Sequence, residues 1–504
     1  MPLLSLKDEF TTIGDWWLPE SPQDRRHGTL VQRDGETELQ LQEGFDIPEE
    51  LRHGGEMHFY PVVHGTTADG EAITLISAYS AGQGVRYASG GLRRPEQLHA
   101  MRLVIGAWLP QGTPLRDLSV RVPGLEVWLA RPTISAQTTT AGPRRTTLTF
   151  AQQELLVTDV PASGFRLEWG WAINTDLNFF SSARVDVQAG VKVVPIHPQD
   201  LEWYLDVVSK LTAFLTIVGG VSMPVDQILA SVMDGDREVR VQILSAMRPH
   251  EPCKHTRTSD FFLTEPSLGM TFPDAISRWF ALPAAVDQAI GLARSVLASS
   301  DLWSHVEFLS LIQGLEGLHR GTQEGLYMDE VAYQAVRSAL SGAIPNTLET
   351  DHKEALRSRI RYGNQISLSR RLTFLTRQFS PEIRQIVFGS SGNVPRVWID
   401  TRNYYTHWDE ELRPNILGDQ SLVDALARMR VFLRITLLRL IGISDEALLG
   451  ALNGMSREAV HLQQVGVRSR IAAAPSATAV APAGPVAPAA PGETPGAPAP
   501  QALP

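Results

Sequence analysis

Arg402 and His407 stand five residues apart in "DTRNYYTHWDEE" (400–411). A guanidinium stays charged and can hold two phosphate oxygens, and an imidazole can give or take a proton near neutral pH. Together they form a metal-free set for acid–base chemistry. Spacing alone also admits an ordinary polar helix face, with Arg402 paired to Asp400 or Asp409. The interval recurs by chance: "RPEQLH" sets Arg94 and His99 equally far apart in a β-rich context, with Pro95 right after the Arg, and that pair is read as a decoy. In the second half, Asp400 or Thr401 is expected to cap a helix and leave Arg402 in its first turn. At about 100° per residue, Arg402 and His407 then point roughly 140° apart, whereas Asn403 and His407 share a face. Bringing Arg to His needs Arg402 to wrap round the helix, or a second copy of the helix facing the first.

The elements that position these residues read as two kinds. Residues 1–197 hold short Val-, Thr- and aromatic-rich runs between turn signals, the pattern of a sandwich or barrel. "QRDGET" and "TADGEA" read as hairpin turns. Near 198 the period becomes helical: "LEWYLDVVSKLTAFLTIVGG" is apolar at helix spacing and closes on Gly219 and Gly220. A strand at "REVRVQILSA" follows, and from 272 to 465 the chain reads as helix. The expected architecture is α+β and multidomain, with a β-rich, sandwich-like N-terminal domain before an all-α bundle. The expected divisions are 1–197, a recognition or sensor domain; 198–271, a mixed connecting region; 272–465, the helical domain; and 466–504, a disordered Ala/Pro-rich tail. The stretch 471–504 has one charge, Glu493, and almost nothing bulky to bury.

Composition narrows the class. Hydrophobic residues at 43% and charged residues at 20% suit a soluble globular chain. No apolar run approaches the roughly 18–20 residues that span a bilayer, and "MPLLSLKDEFTTIGDWW" lacks the pattern of a signal peptide. A single cysteine, Cys253, rules out an internal disulfide and a multi-cysteine metal site. These features predict a cytoplasmic protein without membrane contact. The net charge of −10 argues against a general nucleic-acid coat. All of that excess lies in the first 297 residues. Residues 298–470 carry 19 arginines and one lysine against 19 carboxylates, which permits an RNA-facing site there. The β-rich half has no nucleophile elbow and no P-loop. Trp16-Trp17 reads as core packing or as part of a binding surface.

"DTRNYYTHW" resembles the Arg-x4–6-His signature of HEPN domains, a superfamily that includes helical ribonucleases, and Asn403 fits the polar residue that follows the Arg. The helical half is similar to the ApeA-like HEPN subfamily: "FLSLIQGLEGLHR" (308–320) looks like its first long helix and "LRSRIRYGNQISLSRRLTFL" (356–375) like its middle helices. "GDWWLPESPQDRRHGTLVQRDGETELQLQ", "FYPVVHGTTADGEAITL" and "KLTAFLTIVGG" resemble the ApeA N-terminal domain, so the likeness covers most of 10–442.

The resemblance implies an anti-phage, abortive-infection endoribonuclease that needs neither metal nor cofactor. The RNA 2′-OH is the nucleophile, His407 the acid or base, and Arg402 the stabiliser of phosphorane charge. Asn403 would orient His407 or touch the phosphate. Products would carry a 2′,3′-cyclic phosphate and a 5′-OH. HEPN dimers face two such helices across one cleft, which implies a homodimer. Glu316 reads as an ordering partner for Arg402 or a plain surface carboxylate. Tyr404 and Tyr405 read as base-stacking or core residues. Arg370 and Arg371, with Arg357, Arg359, Arg361 and Arg377, read as an RNA-backbone contact or a solvated face. The implied partners are an RNA, with tRNA one candidate, and a phage protein as trigger of the N-terminal domain. The competing reading is a non-catalytic HEPN scaffold whose β domain recognises a protein or carbohydrate.

Overall fold

The computed structural model describes residues 3–45, 58–83, 86–88, 91–140, 142, 144–151, 153–178, 180–245, 257–299 and 302–473. Cys253 and the Ala/Pro stretch from 474 onward lie outside them. The strands, in order, are β1 (Phe10–Trp17), β2 (Arg26–Arg33), β3 (Glu36–Leu41), β4 (Phe59–Thr67), β5 (Ala72–Gln83), β6 (Arg86–Ala88), β7 (Gly91–Arg93), β8 (Glu96–Ile105), β9 (Leu115–Arg121), β10 (Ile134–Thr139), β11 (Arg145–Phe150), β12 (Leu156–Val160), β13 (Phe165–Asn178), β14 (Ser182–Pro195), β15 (Gln227–Asp234) and β16 (Arg237–Ser245).

Of the two closures the strand pattern admits, the chain uses a barrel and extends it with a sheet. Pairing runs β8–β3–β2–β1–β4–β5 and returns to β8, closing six strands. One edge of β8 is divided: Glu96–Ala100 pair with β3, and Arg102–Ile105 pair with β16. From there the sheet continues as β16–β15–β9–β14–β13–β12. Strands β15 and β16, which the sequence assigns to a connecting region, thus join the barrel to the rest of the sheet. Their partners lie more than a hundred positions away in β8 and β9, and local pattern cannot reveal such pairing. The β2–β3 hairpin is the expected one: Asp34 and Gly35 both take positive φ, 52° and 78°, in a two-residue turn.

Inward-facing Leu30, Leu39, Val63, Leu75, Leu98 and Leu103 fill the barrel with Trp16. A Cβ on Gly65 would meet the Trp16 ring at 2.2 Å, so the indole fits only because that position is glycine. Trp17 is buried edge-on to Trp108 at 5.5 Å. Trp16 and Trp17 are therefore core, and neither forms an exposed binding surface.

After the one-turn α1 (Leu125–Trp128), the helix α2 (Leu201–Gly219) begins as the sequence predicts. Asp200 caps it by accepting from the Trp203 N–H at 2.9 Å, and Gly220 ends it at φ 77°. Every residue from Leu211 to Gly219 is buried. A helix enclosed on all sides is an interior helix, and α2 lies between the open sheet and the helical half. The Tyr204 hydroxyl donates to the Leu115 carbonyl at 3.1 Å on the sheet side, and Trp279 Nε1 donates to the Lys210 carbonyl at 2.9 Å on the helical side. One continuous hydrophobic core runs through both halves.

The helical half contains α3 (Phe272–Phe280), α4 (Asp287–Ala298), α5 (Ser304–Thr322), α6 (Glu330–Gly342), α7 (Thr350–Tyr362), α8 (Leu368–Thr376), α9 (Pro381–Phe388), α10 (Arg396–His407), α11 (Asp419–Leu440), α12 (Asp445–Leu452) and α13 (Arg457–Ala473). The buried α11 is its axis. Its fully buried Arg434 pairs with Glu458 of α13, and Arg430 pairs with Glu307 of α5. Helix α13 continues past 465 to Ala473: Gly466 weakens it locally, but no proline interrupts it before Pro475. Among the described residues no single helix is long and apolar enough to cross a membrane.

Candidate active site

Helix α10 begins at Arg396, five residues before the start that a cap at Asp400 would give. The two side chains expected to cap it act inside it instead. Asp400 pairs with Arg396 at 3.0 Å, in i,i+4 register. Thr401 donates to the Val397 carbonyl at 2.7 Å and accepts from the Leu417 N–H at 2.9 Å, which ties the returning chain to the helix. Trp398 and Ile399 anchor the first turn in the core. Arg402 is consequently mid-helix, and His407 is the last helical residue. The next residue, Trp408, ends the helix in the left-handed region at φ 53° with its side chain exposed. A bulky residue rarely adopts that conformation, and here the indole lies against the Tyr404 ring at 5.8 Å. Nothing in the sequence marked Trp408.

Arg402 leans toward α5. Its guanidinium lies 3.8 Å from the Glu316 carboxylate and donates to the Asn403 side-chain oxygen at 3.3 Å. Arg320, one turn on from Glu316, donates to the other Glu316 oxygen at 3.0 and 2.9 Å and to Gln365 at 3.0 Å. Glu316 therefore stands between two arginines, one on each helix. The Asp400 or Asp409 pairing open to Arg402 on spacing does not form. His407 is exposed and, as the spacing required, on a different face of α10 from Arg402.

The tyrosines belong mostly to the interior. Tyr404 is buried against Trp408, and Tyr405 packs on Phe308 and His305 of α5. Burial, then its neighbour Tyr404, raises the Tyr405 hydroxyl above the ordinary tyrosine range. The adjacent arginines of α8 separate. Arg370 is exposed over the Tyr327 ring at 5.2 Å. Arg371 is 2% exposed and bonds His319 Nδ1 at 3.2 Å, so the α8 periodicity turns it inward, out of reach of a ligand on the surface. Burial first, then Arg371 and Arg320, hold His319 below the ordinary imidazole value, and it acts as the neutral acceptor for Arg371. A Cβ on Gly325 would strike the Arg371 guanidinium at 2.4 Å, so the loop that covers this pair needs glycine there. His319 and Arg371 lie in the two quoted helix segments, 308–320 and 356–375, but their contact across 52 residues is not visible in either.

The decoy pair stays in the β domain. His99 lies on β8, stacked on Tyr79 at 5.8 Å, and Arg94 is exposed in the loop before it.

A β-barrel and sheet coupled through a buried helix to a helical domain with this Arg–His helix define a two-part HEPN architecture. The family model described as ApeA N-terminal domain 1 matches residues 11–279, just over half of the chain, and the Apea-like HEPN model matches residues 309–447. The chain belongs to the ApeA-like HEPN proteins. No curated protein and no solved structure matches it.

Proposed function

We propose that the chain is a metal-independent endoribonuclease of anti-phage, abortive-infection defence, acting in the cytoplasm as a homodimer. The observation that carries this reading is α10 itself. It lies within the matched HEPN segment and bears Arg402, Asn403 and an exposed His407, with Glu316 holding Arg402 from the neighbouring helix. His407 moves the proton between the RNA 2′-OH and the leaving 5′-oxygen, and Arg402 offsets charge on the phosphorane. Asn403, one helical turn before His407, orients the imidazole or the phosphate. The β-rich half is the recognition module for a phage protein, and the shared core through α2 gives it a mechanical connection to the HEPN domain.

The test is cleavage of cellular RNA, tRNA included, by purified protein in excess EDTA. Arg402→Ala and His407→Ala should each lower the rate by a factor of about 100 or more, with an unchanged circular dichroism spectrum because neither side chain is in the core. Fragments should end in a 2′,3′-cyclic phosphate. Arg94→Ala and His99→Ala should keep the chemistry. Full cleavage by the His407→Ala variant would refute the mechanism. Absence of RNA cleavage, with growth effects indifferent to His407, would favour a non-catalytic scaffold.

A further inference from the structure

Between Glu354 and Glu382 the chain has six arginines and no carboxylate or lysine. One of the six, Arg371, is interior. The other five, Arg357, Arg359, Arg361, Arg370 and Arg377, form no side-chain hydrogen bond or ion pair among the described residues. By contrast, Arg320 and Arg402 on the adjoining helices both engage Glu316. A run of cations left without counter-charges suits a polyanion, and α8, which carries Arg370 and Arg377, packs on both α5 and α10 of the candidate active site.

The shape of the surface narrows that to single-stranded RNA. On α8 a shallow cleft of about 500 Å³ is lined by Ser367, Ser369, Arg370, Thr373, Phe374 and Arg377. Arg370, Phe374 and Arg377 lie four and three residues apart, on one face of the helix. Two guanidiniums and the hydroxyls of Ser367 and Ser369 can donate to phosphate oxygens, while Thr373 donates to the Ser369 carbonyl at 2.9 Å. Phe374 is 43% exposed, and Tyr327, under Arg370, is 50% exposed. Phe374 offers its exposed ring to an unstacked base, which a duplex cannot present, and Tyr327 carries Arg370 over its own ring. Beside this cleft, α6 and α7 form a helical arm tied at its base by Asn364, whose amide donates to the Met328 carbonyl at 2.9 Å. No residue of α7 is buried, and Arg357 and Arg361, four apart, share one of its faces. The cleft is near the chemistry: the Phe374 ring is 5.3 Å from His319, which lies one turn from Glu316, the partner of Arg402.

We infer that the α8 cleft, extended by the α7 arginines, is a subsite for single-stranded RNA flanking the scissile bond, with phosphates on Arg370 and Arg377 and a base on Phe374. This rests on the ribonuclease reading, so the experiment measures binding apart from cleavage. The full-length His407→Ala protein serves as background, and the probe is a fluorescein-labelled oligouridylate of roughly a dozen nucleotides. Adding Arg370→Gln with Arg377→Gln should weaken binding at least about tenfold at low salt and reduce the slope of log K against log salt by about 1.4. Phe374→Leu should weaken the single strand about fivefold or more and leave an RNA duplex of equal length unaffected. Arg357→Gln, Arg359→Gln and Arg361→Gln together should lower affinity and slope on a helix with no buried side chain to disturb. Unchanged affinity and slope in the double variant would overturn the subsite and assign the arginines to another partner, such as an acidic protein. Equal loss for duplex and single strand in Phe374→Leu would overturn the single-strand class. If RNA binding follows these variants but His407→Ala still cuts RNA, the catalytic assignment fails and the subsite stands.

Discussion

Arg402 and His407 are positioned by different forces, and the difference sets what each substitution does. Arg402 is held from α5 by Glu316, so its guanidinium is oriented before any phosphate arrives. His407, exposed at the helix end, makes no such contact among the described residues. Just beneath them, His319 and Arg371 form a buried pair whose histidine is held below its usual 6.5 by burial and by two arginines. Because the folded value lies below the unfolded one, the unfolded chain binds the proton more readily. The stability from neutral His319 is therefore complete above pH 6.5 and is lost as pH falls below it toward the depressed folded value. His461, lowered mainly by burial, acts in the same direction. The melting temperature should fall as pH goes from about 7.5 to about 5.5, and His319→Gln should flatten part of that fall. An equally steep fall in the variant would clear His319 of the effect.

At the scale of elements, what the sequence made legible follows from local physics. The hairpin at Asp34-Gly35 and the limits of α2 at Asp200 and Gly220 were readable, because turn and cap chemistry act within a few residues. The start of α10 was not. Asp400 and Thr401 looked like caps, yet Arg396 lies four residues before one, and the Leu417 N–H arrives from sixteen residues beyond the other. Glu316 could be named as a partner for Arg402 because α5 and α10 were each recognisable, whereas the burial of Arg371 depended on the register between α5 and α8. The end of α13 at Ala473 makes a further point testable. Beyond it the chain has one charge and almost nothing bulky to bury. Ending the protein at Ala473 should change the melting temperature by less than about 2 °C and leave RNA cleavage intact. A large fall would mean the Ala/Pro segment packs on the folded chain.

For the whole molecule, the division into a β-rich and a helical half was legible from the change of period. The barrel closure was not, since β8 pairs with three strands, β3, β5 and β16, drawn from distant parts of the sequence. Nor was the single core that joins the halves through α2. The last consequence belongs to more than one copy of the chain. On one α10, Arg402 and His407 face about 140° apart, and Glu316 draws Arg402 toward α5 while His407 stays exposed. One subunit thus presents half of a catalytic set on each face, and a two-fold axis between facing α10 helices would unite Arg402 of one copy with His407 of the other. Arg402→Ala and His407→Ala chains should each be inactive alone. Unfolded and refolded together in equal amounts, they should regain about a quarter of the parental rate, since half of the dimers are mixed and each mixed dimer keeps one intact site of two. The recovered activity should depend on protein concentration and elute with the dimer in gel filtration. No recovery from a mixture shown to contain mixed dimers, or full specific activity in a monomer at working concentration, would exclude a shared site.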